Sequence, residues 1–162
     1  MTPNCMAFVA RAVKQYSVKG DVLEVGSYDV NGSIRPIFAD RKRFPSYLGV
    51  DMRPGPGVDR IALASNLPFT APSFDCVVTT EMLEHDARFW ISVQEFHRVL
   101  RPGGYLLVTT RNIGFQRHDY PSDFWRFTSD GLKQVLEMAQ FEVLEALDDE
   151  AEKGTFAVGK KL

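Results

Sequence analysis

Cysteine, histidine and excess charge are scarce in this chain, and each scarcity closes off a class of protein. Two cysteines, Cys5 and Cys76, cannot build a disulfide framework and have no metal-ligand spacing. Cys76 lies in the apolar run Phe74-Asp75-Cys76-Val77-Val78, which suits a buried, inert thiol. His85, His97 and His118 are scattered and form no H-x-x-x-H pair, so neither a zinc site nor any other metal is expected. Net charge is −2 and the pI about 5.9, so the basic face that nucleic acid requires is missing. Arg41-Lys42-Arg43 and Lys160-Lys161 are short basic clusters that read as solvated surface. No run approaches the roughly 20 apolar residues of a membrane span, and no signal-peptide core opens the chain. A soluble, cytoplasmic protein without membrane contact is expected. Repeats, low-complexity tracts and linkers are also absent, so residues 1–162 read as one domain.

What is present is a set of short apolar runs that end in an acid or a glycine. Asp21-Val22-Leu23-Glu24-Val25-Gly26-Ser27 is the first, and Tyr47-Leu48-Gly49-Val50-Asp51-Met52 the second. A parallel sheet binds its ligand at the carboxyl ends of its strands, and an acid closing the second strand can accept hydrogen bonds from a ribose diol. An adenosine-bearing cofactor follows as the first idea.

Helical periods alternate with these runs. Asn4 can cap a first helix with Val9, Val13 and Tyr16 on one face, ended by Gly20. Strands are expected at 22–25, 47–50, weakly at 59–62, at 75–79 and at 105–109. Ser33 to Phe38 reads as helical, with Pro36 in its first turn. Helices are expected over 87–100 and 129–139, the latter with Leu132, Val135, Leu136 and Ala139 facing inward. Arg101-Pro102-Gly103-Gly104 reads as a turn, and 141–147 with 155–158 as a hairpin of edge strands. The order is αβαββαβαββ, an α/β layered domain. The polar, aromatic stretch from Arg111 to Phe127 is long enough for a functional loop.

These segments resemble class I S-adenosylmethionine-dependent methyltransferases, in the small methyltransferase-domain-11 style. The resemblance rests on Glu24-Val25-Gly26-Ser27, Asp51, Leu67-Pro68-Phe69, Glu81-Met82-Leu83-Glu84-His85 and Leu100-Arg101-Pro102-Gly103-Gly104, in that order. His118-Asp119-Tyr120-Pro121-Ser122-Asp123-Phe124-Trp125-Arg126-Phe127-Thr128 further resembles a motif of a subgroup linked to sugar and polysaccharide metabolism. The resemblance implies a Rossmann-like, doubly wound, seven-stranded sheet, mostly parallel with an antiparallel last strand. It implies S-adenosylmethionine as cofactor and methyl transfer to a small-molecule acceptor, a sugar derivative being one candidate. It places Glu24, Gly26 and Ser27 near the methionyl part, with Glu81 and Met82 lining the same side. Asp51 would take the ribose, Met52 would pack on adenine, and Ala64 or Ser65 would replace a family acid that is Leu63 here. The family's glycine loop is also altered, with Tyr28 and Asn31 in it; Asn tolerates the left-handed backbone such a turn needs.

For an acceptor hydroxyl, His118, Asp119 and His85 are the candidate catalytic groups. Arg111, Trp125 and Arg126 are the candidate acceptor contacts, Arg111 and Arg126 (with Arg117) through an anionic group. Plainer roles stand beside these. His85 can cap the following helix, His97 reads as surface and His118 as structural or solvated. Asp123 and Arg126 can brace the loop as an ion pair, and Trp125 can simply pack. A nicotinamide oxidoreductase is disfavoured by the missing G-x-G-x-x-G and Tyr-x-x-x-Lys patterns. A non-catalytic module that binds the cofactor or a partner protein is the main alternative. An open cleft would suit closure by a second subunit, a homodimer.

Overall fold

In the computed structural model, described over residues 1–70, 72–119 and 121–162, the apolar runs form a sheet buried on both faces. Among the described residues the strands are β1 Val22–Val25, β2 Tyr47–Asp51, β3 Arg60–Ile61, β4 Phe74–Thr80, β5 Leu100–Arg111, β6 Phe141–Asp149 and β7 Gly154–Lys161. They lie in the order β3-β2-β1-β4-β5-β7-β6. The pairs from β3 through β5 are parallel, and β7 runs antiparallel to both its neighbours. The last strand is thus the antiparallel one; with β6 it forms the expected hairpin at the end of the sheet, but only β6 is an edge strand, because β7 also pairs with β5. Its Thr155-Phe156-Ala157-Val158 run is buried throughout, as suits a strand covered on both faces.

Alternate strand residues face two cores. On one face Leu23, Val25, Val77, Leu106 and Val108 meet helix α2 (Phe89–Val99) and helix α3 (Ser129–Met138) through Val93, Phe96, Leu132 and Leu136. On the other, Val22, Cys76, Val78 and Leu107 meet Phe8, Val9, Ala12 and Val13 of helix α1 (Pro3–Gln15), with Ile34, Phe38 and Phe44. Cys76 is fully buried, and desolvation pushes its thiol pKa up.

Several local expectations shift. The cap of α1 is Thr2, whose Oγ1 accepts from Cys5 N at 3.5 Å, because Pro3 fits the first helical position. Asn4 instead donates its side-chain amide to Asp149. Residues 33–38 make only a short 3₁₀ turn, Arg35–Phe38. Arg101 to Gly104 is not a turn before β5. It bulges between the pairs Phe74–Leu100 and Cys76–Tyr105 within the strand, and Arg101 joins Asp75 (2.6 Å) and Asp21 (3.0 Å) beneath. Arg43, read as solvated, donates to the Val13 carbonyl in the last turn of α1 and to the Val18 carbonyl just beyond it. His97, read as surface, is half-buried with its ring 5.0 Å from Phe141.

The chain leaves β1 toward β2 and β3 on one side and reaches β4 and β5 on the other. That reversal opens a crevice at the carboxyl ends of β1 and β4, where α/β sheets bind ligands.

Candidate active site

A cavity of about 740 Å³ fills this crevice. Glu24, Gly26, Ser27, Asp51, Met52, Ala64, Ser65, Glu81, Met82, His85, Arg111, His118 and Asp119 all line it. Trp125 and Arg126 do not. Tyr120 lies outside the described residues.

The loop after β1 is shaped by its backbone. Gly26 has φ +83°, and the amides of Gly26 and Ser27 both donate to Val50 O, at 2.9 and 3.0 Å. A Cβ on Gly26 would stand 2.7 Å from Met82 Cγ, so the two strand ends touch there through glycine. The other left-handed residue in this loop is Gly32; Asn31 is not left-handed, so glycine itself supplies both turns. Asp51 ties the loop to β2 by accepting from Tyr28 N (3.3 Å) and Arg53 N (3.1 Å).

Glu24 is almost fully buried and accepts from the Tyr47 hydroxyl at 2.5 Å. Desolvation raises its pKa from the ordinary 4.5 to about 7, against the opposing pull of Tyr47 and Arg35. Tyr47, facing that carboxyl in the interior, is held firmly protonated. Met52 and Leu63, on the other side, expose half of their surface.

Glu81 follows β4 with φ +54°, a backbone region that a non-glycine residue occupies only when its surroundings hold it there. Its Oε2 accepts from Arg111 at 2.6 Å and lies 3.5 Å from the amino group of Met1. Its Oε1 is buried without a hydrogen-bond partner. Arg111 is thereby committed: it is buried, paired with Glu81 and stacked 3.9 Å from the centre of the Phe115 ring.

The far wall is built by residues 118–119 and 121–127 wrapping over the turn at 84–86. Phe124 N and Trp125 N donate to Glu84 O at 2.8 and 3.2 Å. Trp125 Nε1 donates to Asp86 O at 3.0 Å while its ring packs against Phe89 and Trp90. His118 N donates to Asp123 Oδ2 at 2.8 Å, and Arg126 clasps Asp123 with both guanidinium ends. Arg126 beside Asp123 holds that carboxyl well below the usual carboxylate range. Arg126 and Trp125 therefore brace the wall from behind.

This wrapping brings His85 and His118 together, Nε2 to Nε2 at 3.1 Å. Ser122 O, at 2.5 Å, can only accept, so His85 carries its proton on Nδ1. Burial, then the neighbouring His85, lowers the His118 pKa. Asp119 is at the rim, paired with Arg117 at 3.0 Å. Glu84, a residue that sequence reasoning passes over as a site group, is fully buried beneath the pair. Its Oε2 accepts from Thr110 Oγ1 at 2.8 Å, and desolvation raises its pKa. A carboxylate in a Leu-Glu-His context carries no local sign of burial; only its contact with Thr110, 26 residues away, reveals it.

This sheet order, with cavity-lining acids on β1 and β2 and a glycine turn between them, defines a Rossmann-like fold of the nucleotide-cofactor type. The chain belongs to the methyltransferase domain family, which it matches over residues 23–108. It is 36% identical over 87 residues to a fatty-acid O-methyltransferase of Mycolicibacterium smegmatis, a match covering 52% of this chain and 30% of that protein. The curated relatives it matches are thus much longer than the matched part. Its structure is similar to the 1,6-didemethyltoxoflavin-N1-methyltransferase of Burkholderia thailandensis, solved with its substrate and S-adenosylhomocysteine. That similarity has a TM-score of 0.73 at 16% identity and covers 98% of this chain and 77% of that one. The [4+2]-cyclase SpnF is similar too, with a TM-score of 0.75 at 16% identity, covering 96% and 80%. Among the described residues no helix is long and apolar enough to cross a membrane.

Proposed function

We propose that this chain binds S-adenosylmethionine in the crevice and transfers its methyl group to a small-molecule acceptor by in-line displacement. The observation that carries this reading is the convergence of Glu24, Asp51 and Glu81 on one cavity at the sheet's reversal point. The residues fit the cofactor. Asp51, at the end of β2, would accept from the ribose hydroxyls, with Met52 packing on adenine beside Leu63, Ala64 and Ser65. Gly26 and Ser27 keep the backbone close to the methionyl chain. Glu81 already attracts one ammonium, that of Met1, and has a carboxylate oxygen to spare. Glu24 and Met82 complete that end.

Bound there, the cofactor supplies a methyl group made electrophilic by its sulfonium, with a neutral thioether as leaving group. The protein's part is alignment and exclusion of water, and good alignment is worth roughly 7–11 kcal/mol. His85 and His118 mark the acceptor end, where an acceptor hydroxyl that displaced their mutual hydrogen bond would find an imidazole nitrogen for its proton. Asp119 stands at its rim. Arg111 would shape the pocket through Glu81 rather than hold an anion, and Trp125 and Arg126 would act by fixing His118. A saccharide acceptor has the loop resemblance behind it. The fatty-acid O-methyltransferase among the relatives points instead to an apolar acceptor with an oxygen nucleophile, and the exposed Phe124 side chain in the cavity wall suits one.

Isothermal titration with S-adenosylmethionine tests the first half. Asp51→Ala should weaken binding by about 1.5–3 kcal/mol, the scale of a hydrogen bond to a charged group. Absence of binding at millimolar ligand ends the reading. A second reading, a cofactor-binding module without methyl transfer, is favoured by Leu63 standing where an acid would read adenine. Binding without a labelled product from any hydroxyl-bearing acceptor would select it.

A further inference from the structure

We propose that Glu84, His85 and His118 form a binding site for one divalent transition ion of the zinc class, opening onto the cofactor cavity. Three electron-pair donors converge there. His85 Nε2 and His118 Nε2 are 3.1 Å apart, and Glu84 Oε1 lies 3.9 Å from the first and 4.0 Å from the second. The centre of the circle through those three atoms is about 2.1 Å from each, matching Zn–N and Zn–O bonds of about 2.0–2.2 Å.

Two of the three ligands, His85 and Glu84, are oriented from behind by hydrogen bonds, as metal ligands characteristically are, and the His118 ring is backed by a carboxylate. His85 donates Nδ1–H to Ser122 O, which leaves its Nε2 lone pair facing inward. His118 Nδ1 lies 3.4 Å from Asp123 Oδ2, a carboxylate held in turn by Arg126. Glu84 is fixed through Oε2 by Thr110, while its Oε1, buried and without a hydrogen-bond partner, is the oxygen aimed at the imidazoles. A buried acceptor of this kind costs free energy unless a proton or a cation satisfies it. Two imidazole nitrogens and one carboxylate oxygen suit zinc, cobalt or iron better than magnesium or calcium, which prefer oxygen. The cavity side of the triad has no protein ligand among the described residues, so a fourth position is left for water or an oxygen-bearing acceptor. The site stands independently of the methyl-transfer reading; where both hold, the imidazoles bind the ion and do not take the acceptor's proton.

The full chain, stripped with chelator and dialysed against zinc, should retain about one ion per molecule by elemental analysis. Cobalt in its place should give the visible absorption of a four-coordinate N/O site. His118→Ala, at a partly exposed position, should lose at least about tenfold in zinc affinity and lose the cobalt bands. Circular dichroism and titration with S-adenosylhomocysteine serve as controls for folding and for the cofactor cavity. Glu84→Gln should weaken zinc similarly, and His97→Ala should leave it unchanged. A wild-type chain that retains no zinc, or a folded His118→Ala chain that retains it as tightly as wild type, overturns the proposal. A proton alone would then bridge the two imidazoles.

Discussion

Glu24 is a carboxyl that the fold shields from water, and its proton reports that. Its pKa stands at about 7 in the folded chain against an ordinary 4.5, with desolvation as the main cause. The folded state therefore holds the proton more tightly than the unfolded one. The stabilisation is complete below about pH 4.5 and is lost as pH rises through about 7. The loss is on the order of 3 kcal/mol, because a tenfold difference in proton affinity corresponds to about 1.4 kcal/mol. Glu24→Gln should flatten the fall in urea-unfolding free energy over this window; an unchanged profile would refute the assignment. The Glu84 pKa is raised in the same direction, so some slope should remain in the variant. The amino group of a bound cofactor would favour the ionised form of Glu24. Binding near pH 7 should then release a fraction of a proton, readable as a buffer dependence of the titration heat.

At the scale of elements, the loop before α3 is braced by the Asp123–Arg126 ion pair. Asp123 has a side chain only 1% exposed, is clasped by Arg126 and accepts from the His118 amide. Removing one partner from a fully buried pair typically costs about 3–5 kcal/mol, and this part-buried pair should cost less. Asp123→Asn should therefore loosen His118 and residues 121–127 locally. Hydrogen exchange at the amides of His118, Phe124 and Trp125 should quicken by at least about tenfold while the strands stay protected. Uniform quickening across the sheet would argue against a local role. This loop marks the boundary of what the residues disclose in order. Its length, its aromatics and the Asp123–Arg126 spacing are visible as a pattern. That it folds back over Glu84 is not, because Phe124 and Trp125 bond to Glu84 O from about 40 positions further along the chain. Arg101 to Gly104 shows the same limit: glycine and proline signal a break, but β4 alone decides that it is a bulge within a strand.

For the whole molecule, two apolar layers clamp one sheet. Phe96, fully buried on α2, fills the layer beneath β1, β4 and β5. Phe96→Ala should cost about 3–5 kcal/mol of unfolding free energy, measured as a lowered urea midpoint at unchanged slope. A loss below about 1 kcal/mol would mean that the helix layer contributes little. The alternation of strands and helices, the acids at the ends of β1 and β2 and the glycine turn between them are all written in the order of residues. They follow from apolar runs and turn chemistry within a few neighbours. Long-range packing was needed to put β7 inside the sheet and to spend Arg111 on Glu81. It also placed His118 against His85 over a buried carboxylate. Those contacts join residues about 30 positions apart, and the distance between them is set by sheet order and loop path, which no local pattern encodes.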